Sequence, residues 1–336
     1  MTSSAVPVHL VLGDPGHGVV RCARDVAHWV GAPVVTDAAE LPPGARVHLH
    51  LTDRVVAPDP ESAAREVEAL AARVRLTVTL HDVPQPTDGR AFERRVDCYR
   101  RVVAAVAGWA TNSEHERAGV EQRCAPPTDG VVVPLPVAPL VDASGPPTAA
   151  DVARAAEGGE VGVFGFVYPG KGHAEVLEAV AALRRGGRDV RAAFLGAPAP
   201  RHQDDLDALV RRAADLDVPL RVTGSVPDTG LAAALRGVAV AVVGHRNVSA
   251  SASLSSWLAA GRRPLVRDGA YAREMADLRR GTVVTYTDSG LVVALGAALD
   301  DPGSTWLAPG TDLRPGPDDV AAAYRAWWAR LAEGAA

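Results

Sequence analysis

The feature that most constrains this chain is an alternation that runs twice. Short apolar runs alternate with longer amphipathic stretches from residue 8 to residue 133, break at a proline-rich segment, and restart at residue 161. A short apolar run between turn signals reads as a strand, and apolar residues at i, i+3, i+4 read as a helix. In the first half the pattern predicts strands at 8–12, 47–51, 76–80, 109–112 and 131–133, with helices over 18–30, 61–73, 92–107 and 114–123. In the second half it predicts strands at 161–164, 190–195, 220–223, 238–243 and 264–266. Helices are expected there over 174–185, 204–214, 231–235 and 253–260, and a last one over 318–331. Pro134, Pro136, Pro139, Gly145, Pro146 and Pro147 mark a linker between the halves. Strands alternating with helices predict an α/β fold of two doubly wound parallel-sheet domains, residues 1–140 and 141–316. Ligands of such sheets bind beyond the carboxyl ends of the strands, so the expected site is a cleft between the two.

Composition excludes several classes. A formal net charge of −5 argues against a nucleic-acid partner, which needs a basic surface for phosphates. Cys22, Cys98 and Cys124 show neither a disulfide framework nor a zinc-ligand spacing, so no metal is expected and a reducing cytoplasm fits. The first seven residues lack the basic and apolar regions of a signal peptide, and no apolar run reaches the roughly 18 residues of a membrane span. The expected location is cytoplasmic, with room left for peripheral contact at the inner membrane face.

The chain has 34 arginines and one lysine. Lys171 lies in Gly165-Phe166-Val167-Tyr168-Pro169-Gly170-Lys171-Gly172-His173, between a strand pattern and a helix pattern. A lysine kept in so arginine-rich a chain suits a site that wants a compact ammonium rather than a planar fork. A phosphate at a strand-to-helix loop is such a site, because a helix N-terminus adds unpaired N–H groups and partial positive charge. A surface lysine is the plain alternative. Gly13-Asp14-Pro15-Gly16-His17-Gly18 follows the first strand, where glycines let a ligand approach the backbone; a turn with no ligand explains it equally well. His81-Asp82 follows the strand at 76–80, where a histidine can hold a sugar hydroxyl or act as a base. The stretch 245–256 holds Arg246, Ser251, Ala252 and Ser253, and its small hydroxyl residues at a helix start offer a cap and free donors for a diphosphate. Asp205 and Asp207 read as a solvated face rather than a metal pair. Arg90, Arg94, Arg95, Arg100 and Arg101 read as a solvated arginine face, with an acidic membrane surface as the other option.

Together these residues resemble the retaining family 4 glycosyltransferases of the GT-B architecture, along nearly the whole chain. The most specific parts are 165–172, Val222-Thr223-Gly224-Ser225-Val226, and 251–266 with Leu258-Ala259-Ala260-Gly261. The resemblance implies two Rossmann-like domains facing across a cleft and a C-terminal segment, 317–336, crossing back to the first. It implies a UDP or GDP type sugar donor on the second domain, a hydroxyl acceptor on the first, and no other cofactor. By position, Lys171 matches the lysine on the donor diphosphate and His81 the histidine near the transferred sugar. Gly165, Gly172, Arg246, Ser251, Ala252 and Ser253 fall to the donor, Gly224, Ser225 and Val226 to the base, and Gly16, His17 and Gly18 to the acceptor-side loop. Three positions depart from the pattern: Phe166 stands where an arginine is usual, and Val248 and Ser256 stand where two glutamates are usual. Those departures keep three alternatives open: an inverting enzyme with His17 or His81 as base, a non-catalytic binding homologue, and a sugar-nucleotide epimerase.

Overall fold

The computed structural model describes residues 6–143, 145–248 and 250–333. It divides into two compact units, Met1–Pro136 with Pro315–Ala336, and Val137–Arg314. In the first unit the elements run β1 (Val8–Leu10), α1 (Gly18–Val30), β2 (Val34–Val35), β3 (Arg46–Leu51), α2 (Asp53–Val56), α3 (Pro60–Ala71), β4 (Arg75–Leu80), α4 (Phe92–Ala105), β5 (Gly108–Thr111), α5 (Glu114–Cys124) and β6 (Val131–Val132). In the second they run α6 (Ala149–Gly158), β7 (Glu160–Phe164), α7 (His173–Arg185), β8 (Arg191–Leu195), α8 (Gln203–Asp215), β9 (Leu220–Val222), α9 (Leu231–Arg236), β10 (Val240–Val243), α10 (Ala252–Ala259), β11 (Leu265–Arg267), α11 (Ala270–Leu278), β12 (Val284–Tyr286) and α12 (Leu291–Asp300). The last helix, α13 (Pro317–Glu333), returns to the first unit.

Each unit holds one six-stranded sheet, ordered β2-β1-β3-β4-β5-β6 and β12-β11-β10-β7-β8-β9, and every strand pair is parallel. The α/β, doubly wound expectation therefore holds. With helices on both faces, central strands such as β4 and β10 bury nearly every side chain, which is why they read as continuous apolar runs. α13 lays Val320, Ala321, Tyr324, Trp327 and Trp328 against α1, Ala110 and Val133. Burial of each large side chain contributes on the order of 1.5–3 kcal/mol, enough to hold a terminal helix in place.

The sequence pattern missed β2 and β12, α2, α6, α11 and α12. β2 and β12 are the short edges of their sheets, two and three residues long. α6 starts where the linker ends, with Thr148 and Asp151 forming a reciprocal cap. Among the described residues no helix is long and apolar enough to cross a membrane.

Candidate active site

The second unit brings its candidate residues to the carboxyl ends of neighbouring strands. β7 and β10 pair directly, so the loop from β7 into α7 lies beside the loop from β10 into α10. Two glycines make this contact possible. Gly165 has φ 101°, and a Cβ there would fall 2.4 Å from Lys171 Nζ, so the ammonium lies against the Gly165 backbone. Gly172 has φ 97°, and a Cβ there would lie 2.6 Å from Gly244 Cα, so the two loops touch backbone to backbone. Ser253 reaches the same spot, its Cβ 3.9 Å from where a Gly165 Cβ would sit.

Lys171 is 5 % exposed. Among the described residues its Nζ has no carboxylate partner and no side-chain hydrogen bond, and the Tyr168 ring centroid lies 5.4 Å from it. Burial alone lowers its pKa to about 8. His173 and His245 stand in its field. Burial first, and then Lys171, lowers both to about 3, so both rings are neutral near pH 7. Both ring nitrogens of His173 and Nδ1 of His245 are buried without a partner. Unpaired buried polar groups are costly, and here two imidazoles carry that cost beside a cation with no acid partner among the described residues. Neither histidine was singled out as a site residue by the sequence. Their positions, one at the start of α7 and one just beyond β10, were the available signal.

The helix ends add donors. α7 begins at Gly172, which offers no side-chain cap. α10 is capped by Ser251, whose Oγ accepts from Leu254 N at 3.2 Å and meets Ser253 Oγ at 3.1 Å. The expectation that the Ser251 amide is free for a ligand is corrected: it donates to the Tyr271 hydroxyl at 3.0 Å. The next two amides of the helix, Ala252 and Ser253, keep no partner of their own among the described residues. Arg246 is exposed and bound to Glu175 at 2.7 Å, so its guanidinium is already engaged. Gly224, Ser225 and Val226 follow the edge strand β9; Gly224 and Ser225 face open space or solvent, and Val226 packs on the core. Val248 packs on the same core and Ser256 bonds the Ala252 carbonyl at 3.0 Å, so neither does a glutamate's work. Ser249 lies outside the described residues.

In the first unit, Gly16, His17 and Gly18 are exposed between β1 and α1. Asp14 accepts from the Gly16 amide at 2.7 Å, and His17 Nδ1 caps α1 through the Val19 amide at 3.2 Å. His81 directly follows β4 but is buried, its Nε2 2.9 Å from His50 Nδ1. Burial, and then His17, lowers its pKa to about 4. Asp82 sits at φ 50°, a strained conformation for aspartate. α4 holds this turn: the Tyr99 hydroxyl donates to the His81 carbonyl at 2.6 Å, and Arg95 donates to the Asp82 carbonyl at 2.7 Å.

Arg95 corrects the reading of a solvated arginine face. Its side chain is 2 % exposed and pairs with Asp53 at 2.9 Å, Asp82 at 2.9 Å and Asp88 at 2.5 Å. The periodicity carried the signal, because Arg95, Val96, Tyr99 and Val102 share one buried stripe of α4. Arg94, Arg100 and Arg101 do remain at the surface, each in an ion pair. Asp205 and Asp207 also stay on a solvated face, bonded to His202 and Gln203.

Solved structures with this architecture include HepE (Alr3699) of Anabaena in complex with UDP-glucose, with a TM-score of 0.65 and 14% identity over 97% of this chain and 98% of that one. The α,α-trehalose 6-phosphate synthase of Burkholderia multivorans gives 0.63 and 14% over 95% and 78%. TarM of S. aureus gives 0.58 and 10% over 85% and 54%. The chain has the GT-B fold. Neither a protein-family model nor a curated protein sequence matches it significantly. At these identities the likeness speaks to architecture, and the residues above must carry any chemistry.

Proposed function

We propose that the chain is a glycosyltransferase that takes a sugar from a nucleoside-diphosphate donor, of UDP or GDP type, to an acceptor hydroxyl. The observation that carries this reading is Lys171, a buried ammonium with no counter-ion among the described residues, set beside two helix N-termini and two unsatisfied imidazoles. A diphosphate supplies the charge such a pocket lacks. Support comes from the fold shared with HepE, whose structures hold UDP-glucose and UDP.

In the reaction the bond from the anomeric carbon to the β-phosphate oxygen breaks, and the diphosphate leaves with added negative charge. Lys171 and the Ala252 and Ser253 amides stabilise that charge as it develops, without a divalent cation on the phosphates. The acceptor hydroxyl attacks on the face from which the diphosphate departs and passes its proton to a phosphate oxygen, which gives retention. Gly224, Ser225 and Val226 are assigned to the base, and Gly16, His17, Gly18 and His81 to the acceptor side. An inverting route through His81 is less favoured, because a base with a pKa of about 4 is a poor match to neutral pH.

Val248 and Ser256 favour one second reading, a homologue that binds the donor without turnover. Thermal-shift screening against UDP- and GDP-sugars, followed by an assay of donor consumption, separates the two. Transfer or hydrolysis of a stabilising donor supports the enzyme. Stabilisation with no consumption under any acceptor supports the binding protein, and no stabilisation by any nucleotide sugar rejects both.

A further inference from the structure

The core of the first unit holds a histidine cluster that the donor chemistry does not use. His9, His48, His50 and His81 are all buried, from β1, β3 and the residue after β4. His48 is satisfied, with Nδ1 3.0 Å from Thr77 Oγ1 and Nε2 3.1 Å from Thr79 Oγ1. His9 and His50 are not: both ring nitrogens of His9 and Nε2 of His50 are buried without a partner among the described residues. Polar pairing in this core is therefore incomplete around His9 and His50.

Cys22 of α1 completes the pattern. Its Sγ lies 3.9 Å from His50 Nδ1, which lies 2.9 Å from His81 Nε2, and all three atoms fall within 4.8 Å of one another. A tetrahedral zinc with bonds of about 2.0–2.1 Å to nitrogen and 2.3 Å to sulfur sets ligand edges of about 3.3 Å for N···N and about 3.6 Å for N···S. Shifts of a few tenths of an ångström would bring the two edges at His50 to those values, and the Cys22–His81 edge, within 4.8 Å, closes as His81 turns toward the ion. The donor set, one thiol and two imidazoles, is the borderline-soft kind that suits zinc, and three protein ligands leave one position open.

We propose that Cys22 Sγ, His50 Nδ1 and His81 Nε2 form a site for a zinc-class divalent ion. The thiol proton leaves to solvent as the metal–sulfur bond forms. With Nε2 on the metal, His81 carries its proton on Nδ1 and keeps that edge as a donor. The site ties α1, β3 and the His81 turn together, and it stands independently of the donor reading in the second unit.

The test uses the full-length protein, stripped with a chelator and titrated with Zn2+ or Co2+ alone. One equivalent should bind, and the Co2+ form should show the intense near-ultraviolet band of a thiolate ligand. Cys22→Ser should abolish that band, while Cys98→Ser, altering a thiol outside the cluster, should keep it. His50→Gln should weaken Zn2+ by more than about 100-fold, beyond what loss of a supporting contact usually costs. Should either ligand variant fail to fold, the wild-type titration still decides. A wild-type protein that binds no equivalent, or binds cobalt without a Cys22-dependent thiolate band, overturns the proposal and leaves a hydrogen-bonded Cys–His–His chain.

Discussion

Arg95 in the first unit and Lys171 in the second are both buried cations beside a turn at the carboxyl end of a parallel sheet. Arg95 meets three aspartates and the Asp82 carbonyl; among the described residues Lys171 pairs with no acid. A charge taken from water must be compensated, and the two sites differ in who compensates it. Around Arg95 the protein supplies the counter-charge from Asp53, Asp82 and Asp88, and the result is a fixed turn carrying His81. Around Lys171 no described residue supplies it, and the low pKa of about 8 records the cost. A saturated buried cation builds structure, whereas an unsaturated one is set for a ligand that arrives from outside.

Substitution should separate the two. Arg95→Met strands Asp53, which is 3 % exposed, and should destabilise the protein by about 3–5 kcal/mol in chemical denaturation. A loss below about 1 kcal/mol would show that the aspartates relax to water and that the network is ornamental. Lys171→Met removes a penalty rather than a partner, so the melting temperature of the unliganded protein should stay level or rise. Turnover with the donor should still fall by about 10²–10³-fold, the usual effect of losing one stabilising donor. A variant that loses stability in step with activity would place Lys171 beside Arg95 as a structural cation.

Gly165→Ala tests the shape of the empty site. Its φ of 101° and the 2.4 Å approach of Lys171 Nζ should make alanine cost about 1–3 kcal/mol and push the ammonium aside. Donor affinity should drop with it; a fully stable, fully active alanine variant would contradict the contact. The smallest effect is on pH. The folded Lys171 titrates near 8 and an unfolded lysine near 10.4, so between those values the unfolded chain holds the proton more tightly. Unliganded stability should therefore gain from this group as pH rises from about 8 to 10, and the full penalty should apply below 8. Donor binding needs the charged form, so affinity should fall above pH 8 by up to about tenfold per unit. Binding that strengthens with pH across that range would reverse the assignment.

Much of this architecture was legible in the sequence because parallel strands covered on both faces leave unmixed apolar runs, as in β3, β4, β7 and β10. The edges β2 and β12 were not, being too short to show a period. Lys171 could be singled out because its loop has a local signature of glycines and a lone lysine. Arg95 was hidden among arginines of the same helix, and only its place on the Val96–Tyr99–Val102 stripe distinguishes it. His173 and His245 become a pair only when β7 and β10 align. The Cys22, His50 and His81 group has no spacing to read, because its members come from a helix, a strand and a turn that meet only in the folded unit.

The central claim is that Lys171 awaits an anionic phosphate group. Calorimetric titration of UDP into the wild-type protein and into Lys171→Met, side by side at pH 7, tests it most directly. The account expects measurable binding to the wild type and an affinity at least tenfold weaker in the variant. Equal affinity in the two proteins would contradict it.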